Sequence, residues 1–127
     1  MSNEEITNKL KQLKIEDFIW LIYIFIIFMS WYANYFERQY FLYADLQSKE
    51  KYRRIMILIF SILIVVYLYF LKGAFDDVQN INPEDSQKKK NLILLSFIGS
   101  LLIAISGFIF LYIAYTDENI DVELAFN

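Results

Sequence analysis

The stretch at residues 91–116, NLILLSFIGSLLIAISGFIFLYIAYT, contains no charged side chain, and nothing else in the chain restricts the fold as much. Its most apolar part, Leu92 to Tyr115, would extend about 36 Å as a helix. That is longer than the ~30 Å hydrocarbon core of a bilayer. A soluble domain of 127 residues has little interior in which to hide such a segment. Two further blocks, Phe18–Phe36 and Ile55–Leu71, are also uncharged and apolar. The expected fold is therefore all-α: an integral membrane protein with three transmembrane helices and a short N-terminal amphipathic helix. Residues 1–16 form that juxtamembrane helix, 17–116 the bundle with spans at 18–36, 55–71 and 92–115, and 117–127 an acidic tail.

Composition supports the same class. Hydrophobic residues make up 57% of the chain and aromatic residues 19%, high values for a small soluble domain. A soluble three-helix bundle would interleave polar residues at every turn to make a wet face. The second block offers only Ser61, Tyr67 and Tyr69 for that purpose. Phe, Tyr, Met, Ile, Asn and Lys, whose codons are AT-rich, are abundant, which points to an AT-rich bacterial genome.

Several chemistries lack their residues. With no Cys there can be no disulfide, thiolate nucleophile or Cys-bound metal, and with no His the commonest general base near neutral pH is missing. No cofactor or metal is expected. The net charge is −3 and no long basic tract occurs, so nucleic acid is not an expected partner. The apolar blocks hold serines but no Asp, Glu, Lys or His to activate them, which argues against an enzyme. A proton-coupled transporter would need an ionisable group at mid-membrane, and none is present.

Ser2 and Glu5 have the spacing of a capping box. Ile6, Leu10 and Leu13 then share one helical face, as expected of a helix lying on a membrane surface or of a solvated tail. The first charges are Glu4 and Glu5 rather than a basic cluster, so residues 1–36 do not read as a cleaved signal peptide and the first span is expected to be retained. Asp17 can cap the first span. Trp20 and Tyr23 at one end, with Trp31, Tyr32, Tyr35 and Phe36 at the other, suit an aromatic belt at both interfaces. Ser30 and Asn34 lie four residues apart on one face. Together with Ser61 they are the candidate intramembrane polar positions, for a ligand contact or, more simply, for interhelical hydrogen bonds.

Neither Gly nor Pro occurs between Asp17 and Lys72, so the first helix should run past the bilayer to a turn near Asp45–Ser48. Gly73 reads as the end of the second helix. Asn82-Pro83-Glu84-Asp85 reads as the start of the third, with Asn82 as cap and Lys88, Lys89 and Lys90 on the first turns. The acidic tail beyond it is expected to be disordered without a partner.

The most specific positive feature is a row of small residues on the third helix. Ser96, Ser100, Ala104 and Gly107 share a face, Ala114 continues it, and Gly99 and Ser106 broaden it. Such rows let helix backbones approach closely in lipid. The contact falls within the three-helix unit, between copies of the chain, or with another membrane protein.

Of the 12 Lys and Arg residues, seven fall on the side of the N-terminus and of the connection between the second and third spans, against five on the other. With Lys72 and Lys88–Lys90 before the third span and none after it, the N-terminus is expected in the cytoplasm and the tail outside, in a multi-pass cell-membrane protein. The expected role is non-enzymatic: binding another membrane component, as a subunit, regulator or immunity-type factor. The alternative is a holin-like membrane-active oligomer, which shares the size and span count.

Overall fold

The structure, a computed structural model, describes residues 2–125. It contains three helices, α1 (Asn3–Tyr43), α2 (Leu46–Gln79) and α3 (Gln87–Thr116), with no strand among the described residues. At 41, 34 and 30 residues, they extend about 60, 50 and 45 Å.

α1 begins as expected. Ser2 Oγ accepts from the Glu5 N–H while Glu5 Oε2 accepts from the Ser2 N–H, both at 3.1 Å. It then runs unbroken through Asp17, so residues 3–16 are the first turns of one long helix and not a separate element. Asp17 sits mid-helix because nothing nearby opposes continuation. α1 ends where Ala44 turns left-handed at φ 52°, and its N–H reaches back 2.8 Å to the Tyr40 carbonyl. Asp45 immediately caps α2, its carboxylate accepting from the Gln47 N–H at 3.1 Å and the Ser48 hydroxyl at 2.7 Å. That Ser48 bond, foremost, holds the Asp45 carboxyl below its ordinary value. Two residues thus reverse the chain and lay α2 antiparallel along α1.

Two helix boundaries differ from the sequence expectation. α2 does not stop at Gly73 but continues to Gln79. A glycine inside a helix costs only ~0.5–1 kcal/mol relative to alanine, and Ala74–Gln79 extend the hydrogen-bonded ladder past it. Asn82–Asp85 form a reverse turn, not the first turn of α3. The Asp85 N–H donates to the Asn82 carbonyl at 2.9 Å, and the Asn82 side-chain oxygen accepts from Glu84 at 3.0 Å. α3 starts after Ser86, whose hydroxyl accepts from the Lys89 N–H at 3.1 Å. Lys89 pairs with Asp85 at 3.1 Å and Lys90 donates to the Pro83 carbonyl at 3.1 Å, fastening the turn to the helix.

α2 is the central element. α1 and α3 each pack along it, and they do not pack on one another. Met56, Ile59, Phe60 and Leu63 of α2 are fully buried, with Ile26, Ala33 and Phe36 of α1 and Ala114 of α3 in the same cluster. Phe60 stacks on Phe110 with centroids 5.5 Å apart, and Phe75 lies 6.0 Å from Phe97, which fixes the antiparallel register of α2 and α3. Lys49 and Lys51 lie over the rings of Tyr40 and Phe36, 5.6 and 5.3 Å from the centroids, marking the register of α1 and α2.

The small-residue row of α3 divides in two. Ala104, Gly107 and Ala114 are buried, and a Cβ at Gly107 would stand 3.0 Å from Tyr67 Cδ2 and 3.2 Å from Ile64 Cγ1. Gly99 faces open space, with nothing within 4 Å of where its Cβ would be. Gly107→Leu should therefore lower the melting temperature in detergent, with overpacking costing ~1–3 kcal/mol, and Gly107→Ala should do so by less. Gly99→Ala should be neutral or stabilising by up to ~1 kcal/mol through helix propensity. Equal effects at the two glycines would refute this division of the row.

Candidate functional site

The polar positions singled out in the apolar blocks, Ser30, Asn34 and Ser61, do not converge on a site. Ser61 Oγ donates to the Ile57 carbonyl at 2.7 Å and Ser106 Oγ to that of Ile103 at 2.6 Å, each bonding within its own helix. Ser30 is half-buried and its hydroxyl has no hydrogen-bond partner among the described residues, while Asn34 is exposed. No group of His, Cys, Asp and Glu suited to a metal ion occurs among the described residues.

Two other places carry more structure. The first is a cleft of about 560 Å³ at the end of the molecule formed by the start of α1, the last turns of α2 and the first half of α3. It exists because α1 and α3 flank α2 without meeting each other. Lys9 and Gln12 of α1, Lys72, Asp76 and Asp77 of α2, and Ser96 and Ser100 of α3 line it, over a floor containing Tyr69 and Phe70. Ser96 and Ser100, expected at a tight helix contact, thus edge an opening; Ser96 is exposed and Ser100 half-buried.

The second is the tail, expected to be disordered but folded against the opposite end of the bundle. Its last residues, Phe126 and Asn127, lie outside the described residues. Arg53 of α2 bonds Glu50 at 3.1 Å through one terminal nitrogen and donates through the other to the Tyr115 carbonyl, 2.9 Å away in the last turn of α3. A cation there suits the negative end of the helix dipole. The chain then turns around Asp117, whose carboxylate accepts from the Asp121 N–H at 3.0 Å and the Val122 N–H at 2.8 Å. This bracket holds Ile120 left-handed at φ 57°, a conformation unusual for a β-branched residue. Ile120 and Leu124 are thereby buried in the cluster that contains Tyr52 and Met56. Only about 10 Å³ of space remains between them.

Burial pushes the Asp117 carboxyl up, but the N–H groups of Asp121, Val122 and Asn119 and the charge of Arg53 outweigh it and hold the group below its ordinary value. Sequence reading missed this latch. Its trace there is the pair Ile120 and Leu124, four apart in an acidic segment that also holds Val122, three and seven residues beyond Asp117.

The chain matches no protein-family model, no curated protein and no solved structure.

A carboxyl depressed in the folded protein stabilises it above the unfolded value and ceases to do so as pH falls through the folded one. The latch should therefore be held above the ordinary carboxylate value of 3.8 and loosen in acid below it. At neutral pH, Asp117→Ala should speed protease cleavage and amide exchange over residues 118–124 several-fold, leaving α1–α3 protected. Wild-type exchange in that segment as fast as in the variant would show that the bracket does not hold.

Proposed function

We propose that the chain is a three-span membrane protein that acts by binding another membrane component, as a subunit, regulator or immunity-type factor. The observation carrying this reading is the nakedness of α3. α2 and α3 are both long and apolar enough to cross a membrane, yet only 11% of the most apolar stretch of α3 is buried against the rest of the chain. A core helix of a soluble protein would be mostly covered. Here Leu95, Leu102, Ile103, Phe108 and Ile109 are each more than half exposed. So large an apolar face in water would drive association.

α1 is less apolar, its outer block diluted by tryptophans, tyrosines, Ser30 and Asn34, and it falls short of the same measure. Its place as the third span rests on connectivity. Joined to α2 by two residues and packed antiparallel along it, α1 runs beside the apolar length of α2, which supports its crossing the same layer. Trp20 and Trp31, near the two ends of its apolar block, are 64% and 71% exposed and suit the interfaces. The orientation follows the lysines of the α2–α3 connection: N-terminus in the cytoplasm, tail outside.

The chain should stay in the membrane pellet through alkaline carbonate extraction, and release as a folded monomer would overturn the reading. A reporter active only outside the cytoplasm should give signal when joined after Asn127, and replacing Lys88, Lys89 and Lys90 by Gln should weaken that preference. Signal from a cytoplasmic reporter instead would invert the orientation. Regulated expression should leave the membrane potential intact; abrupt depolarisation would favour the holin-like oligomer over a binding subunit.

A further inference from the structure

The cleft between α1 and α3 combines charges of both signs with an apolar flank. Lys9, Lys72, Asp76 and Asp77 converge on it, and none of these side chains has an ion-pair partner among the described residues. Two positive and two negative groups therefore face one opening of about 560 Å³ with their charges unspent on each other.

Its depth follows from the register of the helices. Phe97 lies beside Phe75, and Ser96 shares a lining with Asp77. The charged last turns of α2 thus stand level with the apolar first half of α3. The apolar block of α3 is longer than that of α2 by about 10 Å, and at this end it outruns its neighbour. Leu94, Leu95 and Ile98 are 43%, 60% and 50% exposed at the same level as Asp76 and Asp77. The cleft consequently has a charged side and an apolar flank, with Tyr69 and Phe70 beneath.

We propose that this cleft binds a zwitterionic phospholipid with a primary-amine headgroup. Its phosphate sits toward Lys9 and Lys72, its ammonium toward Asp76 and Asp77, and its acyl chains run on from the phosphate along the apolar face of α3. Both signs of charge on the protein select both signs on the headgroup. An anionic lipid without an amine would satisfy the lysines and leave the aspartates repelling it.

The inference rests on the membrane reading above. Its test is lipid retention by the full chain in detergent, read by native mass spectrometry and by thermal melting after adding phosphatidylethanolamine or phosphatidylglycerol of matched acyl chains. Phosphatidylethanolamine should be retained at least several-fold better and should raise the melting temperature. Asp76→Asn with Asp77→Asn should erase the preference, and Lys9→Gln with Lys72→Gln should lose both lipids. Equal or better retention of phosphatidylglycerol by the wild-type chain would overturn the proposal, as would variants that bind like wild type. The wild-type comparison decides even if a variant does not fold. Carbonate extraction separates the two levels: a chain that stays in the membrane but ignores headgroup chemistry sinks this inference alone, whereas a chain that is released sinks both.

Discussion

Among the described residues, every helix–helix packing contact passes through α2. α1 and α3 have no common surface, so the bundle is a row with α2 in the middle and not a triangle closed on itself. In hydrocarbon, helices gain little by leaving their surroundings, and association depends on close packing and dispersion. α2 supplies this with large buried side chains, Met56, Ile59, Phe60 and Leu63. Its neighbours answer with small ones, Ala33 from α1 and Ala104, Gly107 and Ala114 from α3. The row also explains why a cleft exists: a third interface between α1 and α3 would have closed it.

The same register that seats Gly107 against Tyr67 sets the unequal ends of the molecule. At the end near the α1–α2 turn, the apolar blocks finish together and are closed by Arg53, Asp117 and the folded tail. At the other end α3 outruns α2, and charged turns stand beside leucines. One end is sealed by hydrogen bonds to backbone; the other is left open and electrostatically mixed.

The helices themselves were legible in the sequence because their apolar blocks are long and uninterrupted. The capping box of Ser2 and Glu5 was legible because both halves of a reciprocal bond are encoded within four residues. The boundaries were harder. Gly73 and Asn82-Pro83 carry the ordinary marks of a helix end and start, yet local preference is worth ~1 kcal/mol and adjacent turns overrode it. The small-residue row identified the face of α3 but not which part of it meets α2, since that depends on register. Ser61 and Ser106 bond carbonyls of their own helices, an outcome that residue spacing does not distinguish from a bond between helices. The latch was invisible for a different reason: Arg53 and Tyr115 are 62 residues apart, and nothing in the spacing of either announces the other.

The latch also bears on the order in which the molecule can assemble. α1 and α2 are joined by two residues and can pair as a hairpin while α3 is still being made. α3 can dock next, through contacts that all lie on α2. The end that holds Tyr52 and Met56 stays uncovered until later, because Ile120 and Leu124 follow α3 in the chain. Those two side chains enter a site that has stood open since the hairpin formed, so closure of that end reports that synthesis has passed Leu124.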